Sequence, residues 1–393
     1  MSAPVLVQKF GGTSVATVER RQQVVDAVRR ARADGHAVAI VVSAMGRRGD
    51  PYATDTLLDL LRADGGPVDP RDYTLAFVTG EMIATAVMSQ ALKRAGIPAV
   101  GLTGAQARIY TDGHPTEAEI VEIDASRVRS HLERGEVPVV TGGQGISRDS
   151  FDYSTLGRGA SDTSGVALGV ALGASKVEIF TDVEGVAVTD PRIISDARWL
   201  TQVSYGRMYE MARFGAKVLH PRAVMTGWTG RTPIVVRSTF STSPGTRIGE
   251  VEDDLPIVGI TTLSPMETVV IAANAAAPGV TARWERQRVV MSLSDAASGT
   301  MVVGVSADRP GDLDAALDEA GAGAIRRLGR RAWISLVGDT QALRERLTQT
   351  LGCLERERIE VAAYEQSDRR FTCVIDADQV ERAVRVLYEE TFG

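Results

Sequence analysis

Short apolar runs of strand character alternate with longer runs of helical period over the first 240 or so residues, and nothing else in the chain constrains its fold as strongly. Residues 4–9, 37–42, 98–102, 137–141, 176–181 and 233–237 read as strands. Residues 18–34, 79–95, 125–134, 162–172, 205–214 and 221–227 read as helices, with a further one beginning near Asp55. Strands of this kind, separated by helices, imply βαβ units and a mainly parallel sheet covered by helices on both faces, an α/β fold. The looser segment 103–123 reads as a small antiparallel excursion, and 241–249 as a polar turn.

At 393 residues the chain is too long for one ordinary core, and two or three domains are expected. After an acidic linker at 250–254 the rhythm changes to short strands and helices, read as two βαββαβ-like units at about 257–330 and 331–393. The first 249 residues then form the catalytic domain, and the tail a pair of regulatory or dimerising modules. A net charge of −6 argues against nucleic acid as a partner. The nearest approach to a membrane span, 37–45, is far short of the roughly 20 apolar residues a bilayer needs. Residue 4 already opens a strand pattern, with no signal-peptide character before it, so a cytoplasmic protein without a membrane partner is expected. Cys353 and Cys373 stand in no metal-binding spacing and read as buried thiols.

Several strand ends carry chemistry. The first strand breaks into Phe10-Gly11-Gly12-Thr13-Ser14 before a helix, an arrangement in which backbone N–H groups approach a phosphate while Lys9 supplies a point charge. The lysine precedes the glycines, so this is not a Walker loop, and a plain βα turn is the alternative. The second strand ends at Ser43, on the carboxyl edge where ligands collect in open α/β sheets. Glu81 reads as a first-turn acid of its helix or as a partner for a substrate ammonium group. In the stretch 155–162, TLGRGASD, glycines precede a helix and Arg158 offers a fork matched to a carboxylate or phosphate. Asp162 would repel such an anion unless it orients a cation; simple helix capping is the bland reading of this loop. The turns Asp182-Val183-Glu184-Gly185 and Thr189-Asp190-Pro191-Arg192 suit a ribose and a polyphosphate, or are turns and nothing more.

Taken together, VQKFGGTSV (7–15), VSAMGRRGDPYATDTLL (42–58), TGAQA (103–107), TLGRGASD (155–162), FTDVEGVAVTDPR (180–192) and GAKVLHPRAV (215–224) resemble the aspartate kinases of the amino-acid kinase family. The RRGDPYATD insertion is most similar to the monofunctional Gram-positive type, and the tail resembles tandem ACT domains in length and rhythm. The resemblance implies transfer of the ATP γ-phosphoryl group to the side-chain carboxylate of L-aspartate, the first step towards lysine, threonine and methionine. Lys9 would then stabilise the transferring group and Asp162 orient Lys9. Gly11, Gly12, Thr13 and Ser14 would line the phosphate path. Ser43, Thr54, Glu81, Arg158 and Ser161 would hold the amino acid, with Arg158 on its α-carboxylate and Glu81 towards its ammonium group. Thr181, Asp182, Arg192 and Lys217 would bind nucleotide, and Mg²⁺ would bridge the ATP phosphates, its protein ligands left unassigned. A homodimer formed through the ACT-like units is implied as well.

Four departures from the family pattern stand out. Gly142-Gly143-Gln144-Gly145 replaces Gly-Phe-x-Gly, so an aromatic bordering the amino-acid pocket is lost; Ala160 replaces a glycine in GRGGSD; and Ala187 stands where some members have a tyrosine. Gly338-Asp339-Thr340 runs directly into a helix where the second effector loop of the tail would lie, from which weak or absent inhibition by lysine or threonine is expected. The alternatives are a kinase for a different or modified amino-acid carboxylate and a non-catalytic regulatory subunit. Against the latter, Lys9, Glu81, Arg158, Asp162 and Lys217 are all retained.

Overall fold

The computed structural model describes residues 3–63, 65–157, 159–272, 284, 289–293, 299–319, 321 and 324–393. The chain divides into two compact units, the first built from 1–186, 201–205 and 218–252, the second from 187–200, 206–217 and 253–393.

The first unit opens with β1 (Val5–Phe10), the one-turn helix α1 (Gly12–Val15), α2 (Val18–Ala33) and β2 (Ala37–Val42). There follow α3 (Thr54–Arg62), α4 (Pro70–Arg94), β3 (Ala99–Leu102), β4 (Ile109–Thr111), β5 (Ile120–Ile123), α5 (Ser126–Glu133) and β6 (Val137–Thr141). After β7 (Gln144–Ser147) and β8 (Tyr153–Thr155) come α6 (Ala160–Leu172), β9 (Lys176–Thr181) and β10 (Gln202–Ser204); beyond α7 (Tyr205–Arg213) lie α8 (Pro221–Thr229), β11 (Ile234–Ser238) and β12 (Thr246–Gly249). Eight strands form one sheet in the order β10-β12-β11-β9-β1-β2-β6-β3. Every pairing in it is parallel except β11 with β12, as the alternation of strands and helices requires. The segment read as an antiparallel excursion does pair β4 with β5 antiparallel, but within a separate four-stranded sheet, β5-β4-β7-β8.

Strand alternation sorts the two faces. Leu6, Phe10, Ile40, Val42 and Val139 bury on α2 and α4 through Val24, Val28, Met88 and Leu92. Lys9 points to the opposite face, where Gly165 of α6 leaves room for its stem: a β-carbon there would sit 3.2 Å from Lys9 Cβ. Two boundaries differ from the sequence reading. Helix α4 begins at Pro70 with Asp69 capping it and not near Thr79, so Glu81 lies mid-helix and the first-turn explanation of that acid is wrong. The turn read at 241–249 ends in strand β12, which pairs on both edges. Helix α4 is also long and apolar enough by length and composition to cross a bilayer, a candidate the sequence reading missed. Here its apolar side, Phe77, Val78, Ala84, Met88 and Leu92, is buried in the protein core.

In the second unit, β13 (Ile257–Ala272), β14 (Val290–Leu293), β15 (Thr300–Ser306), β16 (Ala324–Gly338), β17 (Ala363–Gln366) and β18 (Arg370–Asp376) form an antiparallel sheet in the order β14-β15-β13-β16-β18-β17. Strand β13 is continuous where two short strands were expected; β16 pairs along its whole course, while β15 pairs only with the later part, Met266–Ala272. Helices Thr340–Arg356 and Val380–Phe392 bury Leu343, Cys353, Leu354, Ala383, Val384 and Leu387 against Ile257, Ile260, Ile334, Leu336, Phe371 and Cys373. Both cysteines are free and buried. The segments 187–200 and 206–217 join this unit: Ile260 N–H donates to Val188 O at 2.6 Å, and buried Arg370 binds Glu210 and Glu365 while stacking 3.6 Å above the Phe214 ring.

Trp333 is fully buried among Phe214, Met266, Val302 and Val374, and its indole N–H donates to Thr268. Trp333→Ala should therefore destabilise the protein by about 3–5 kcal/mol in denaturant titration, whereas Leu60→Ala, at a position 68% exposed, should stay within about 0.5 kcal/mol.

Candidate active site

The site is built at the carboxyl ends of β9, β1, β2 and β6, which are neighbours in the sheet. Lys9, in the last turn of the pleat of β1, is only 9% exposed, and its ammonium group meets Asp162 Oδ1 of α6 at 2.6 Å. An ammonium group so nearly desolvated needs a partner of opposite charge, which removes the apparent oddity of an aspartate in a glycine-rich anion loop. Gly11 N–H donates to Phe180 O, and Ser14 N–H to Gly11 O. Gly12 is required where it is: a β-carbon there would lie 2.3 Å from Ala44 O, so only glycine lets the chain after β2 close against this turn. Thr13 is half-buried, and Ser14 is fully buried with its hydroxyl on Thr239, tying the turn to the chain after β11.

A second group gathers one and two strands away. Ser43 leaves β2 with its N–H on Phe10 O. Glu81, only 3% exposed in the middle of α4, is bonded to the Ala44 backbone and the Thr54 side chain. Burial pushes its carboxyl up to about 8, against those hydrogen bonds, which pull it down. Its Oε2 has no hydrogen-bond partner among the described residues. Ser161 closes over the end of β6, where a β-carbon at Gly142 would lie 2.6 Å from its Oγ. The neighbouring Gly143 has φ +72°, and a β-carbon there would lie 3.0 Å from Ala160 Cβ, so two of the departures from the family pattern face each other. Arg158 lies outside the described residues.

The candidate nucleotide residues fall in both units. In the first, Thr181 donates to Asp182, and Asp182 also receives Arg47 at 2.6 Å, a partner that sequence reading did not single out. In the second, Arg192 is bidentate on Asp190, holding that carboxyl below its ordinary range, and the charge of Lys217 acts in the same direction. The structure thus brings together Lys9 with Asp162, Glu81 with Thr54, and Asp190 with Arg192 and with the charge of Lys217.

Comparison with known proteins gives the family. Residues 4–238 match the amino acid kinase family. Aspartokinase 1 of Bacillus subtilis (strain 168) is 44% identical over 244 residues, which are 62% of this chain and 60% of that protein. An aspartokinase of Mycolicibacterium smegmatis is 33% identical over 410 residues, covering 99% of this chain and 96% of that one. Alignments with several curated relatives thus span only about three-fifths of their length. Among solved structures, E. coli aspartokinase III in complex with aspartate and ADP superposes with a TM-score of 0.81 at 21% identity, covering 99% of this chain and all of that one, a likeness of fold.

Because Glu81 binds its proton in the folded protein up to about pH 8 but ordinarily near 4.5, its protonation stabilises the fold fully below pH 4.5, and that contribution is lost as pH rises towards 8. Glu81→Gln should remove this loss, so its melting temperature relative to wild type should climb between pH 5 and pH 8; parallel melting curves across that range would refute the assignment.

Proposed function

The chain belongs to the amino acid kinase family, and from that premise we propose that it transfers the terminal phosphoryl group of ATP to the side-chain carboxylate of L-aspartate, giving 4-phospho-L-aspartate and ADP. One observation carries this reading: the Lys9–Asp162 pair stands at the end of β1, and Ala44, just past the neighbouring strand β2, holds Glu81, a buried carboxyl whose Oε2 has no partner among the described residues. The acceptor carboxylate is itself ionised at neutral pH, so no residue has to remove a proton from it. What the protein must do is bring two anions together and hold them in line, which is a matter of placement and charge neutralisation. Lys9 offsets charge on the transferring phosphoryl group, Asp162 fixes where that ammonium group lies, and the backbone of Gly11 and Gly12 lines the phosphate path. Thr13 borders the same path, with Ser14 holding its base.

On the acceptor side, Ser43, Thr54 and Ser161 are the hydroxyls that orient the amino acid, Arg158 the fork for its α-carboxylate, and Glu81 the partner of its ammonium group. Binding that ammonium group would draw the Glu81 proton off, since the ion pair replaces the desolvation that holds it on. Thr181 and Asp182 are the nucleotide-side groups of the first unit. Among the described residues no cluster of three or more His, Cys, Asp or Glu is ready to hold a metal, and Asp162 and Asp182 each already face a cation. Such a donor set fits a Mg²⁺ held chiefly by ATP phosphates and water, which when bound neutralises phosphate charge.

An aspartokinase, as these relatives are named, would stand at the head of the lysine, threonine and methionine routes, and a cytoplasmic location goes with that reading. The antiparallel sheet and paired helices of the tail support an ACT-like, dimer-forming unit. In that unit Asp339 caps its own helix by accepting from Ala342 N–H, and Thr340 donates to Asp368 O, so the candidate effector loop is satisfied internally. A second reading, a bulkier carboxylate as acceptor, is favoured by the facing pair Gly143 and Ala160.

Trapping of acyl phosphate with hydroxylamine, run over aspartate and a panel of its analogues, decides between the readings. Aspartate should be the best acceptor, Lys9→Ala should lower turnover at least about 1,000-fold with the fold retained, and millimolar lysine or threonine should leave the rate within about twofold. Activity confined to an analogue would establish the second reading; none at all would leave only a non-catalytic role.

A further inference from the structure

We propose that Arg47 is a phosphate-binding residue of this site, exchanging its carboxylate partner Asp182 for the terminal phosphate oxygens of the nucleotide. The inference rests on the phosphoryl-transfer reading above. Asp182 follows β9, Arg47 follows β2, and β1 runs between those two strands in the sheet. Neighbouring strands lie about 4.8 Å apart, so the ion pair spans roughly 10 Å across the end of β1, where the Gly11-Gly12 turn begins.

The backbone beneath the arginine is anchored. Gly46 N–H donates to Gly12 O, Arg47 N–H to the Asp50 carboxylate, and Asp50 N–H back to Arg47 O. Freedom is therefore left to the side chain, 70% exposed, and its neighbour Arg48 turns away towards Asp55 and Asp59.

Charge balance at the turn gives this side chain a task. Lys9 is already offset by Asp162, and Arg20 and Arg21 spend their Nη1 atoms on the carbonyls of Thr13, Val15 and Ala16. A polyphosphate terminus brings several negative charges to a place where the resident cation is already paired with a carboxylate. Arg47 pairs with a carboxylate that is itself 42% exposed, an arrangement screened by water and salt and weakly held. A guanidinium on phosphate oxygens, by contrast, makes parallel charge-assisted hydrogen bonds in a fork that matches them. The exchange also frees Asp182 to accept from a sugar hydroxyl, in keeping with its place among the nucleotide-side groups.

Calorimetric titration of the full chain with the β,γ-imido analogue of ATP and with ADP, both with Mg²⁺, tests this in wild type, Arg47→Ala, Arg47→Lys and Arg48→Ala. Arg47→Ala should weaken the triphosphate analogue at least about tenfold and ADP less than about threefold, with kcat/KM for ATP falling in proportion and KM for the acceptor within about twofold. Lysine should restore part of the loss, and Arg48→Ala should match wild type. Wild-type affinity for both nucleotides in Arg47→Ala would overturn the proposal. If wild type binds the triphosphate but forms no acyl phosphate from aspartate, the acceptor reading fails and the titration still decides for or against Arg47. If wild type binds neither nucleotide, both fall.

Discussion

A lysine only 9% exposed at the end of a sheet's central strand is the constraint around which the first unit is arranged. Left alone, such a charge would be costly; removing one partner of a buried pair costs about 3–5 kcal/mol. The chain meets it with Asp162, 2.6 Å away on α6, and with Gly165 on the same helix, whose missing side chain lets the lysine stem lie flat. Helix, glycine turn and strand end are thereby fixed relative to one another before any substrate arrives, which is what the proposed phosphoryl transfer would ask of a protein that offers it no covalent chemistry.

The acceptor side is built on the opposite principle. Glu81 is stored where its charge is disfavoured, bonded by Ala44 and Thr54 on one side and, among the described residues, unpartnered at Oε2 on the other. In the proposed reading a cationic ligand group would complete it and an apolar one would not, so the same desolvation that raises the carboxyl's proton affinity would supply discrimination. The two halves meet through the close approach at Gly12 and Ala44, which links the phosphate turn to the loop carrying Ser43 and leading to Thr54. Positioning in one half thus restrains the other.

Much of this was legible in the residues. Local patterns placed β1, β2, β6 and β9, because short stretches dominated by apolar residues, AVAIVV of β2 the plainest, alternate with runs of helical period. The oddity of Asp162 called only for some cation; that the cation is Lys9 came with the family resemblance, and the structure pairs the two. The start of α4 was misread because Thr79-Gly80-Glu81 resembles a helix opening, while the true signal, Asp69-Pro70, lies ten residues earlier. With the helix misplaced, the burial of Glu81 was invisible, for desolvation is a property of the fold and not of the neighbouring sequence. The ion pair between Arg47 and Asp182, 135 positions apart, was out of reach for the same reason. In the tail, Ser264-Pro265 reads as a break between strands, yet β13 runs through it with a register shift against β16.

The central claim is that Asp162 acts through Lys9 and not on its own. A double-mutant cycle on kcat for acyl phosphate formation, with Lys9→Met, Asp162→Asn and the double variant, tests it most directly. The double variant should be within about threefold of Lys9→Met alone, because an aspartate that only positions a lysine has nothing left to position. Losses that multiply, giving the product of the two single effects, would contradict it and assign Asp162 an independent role.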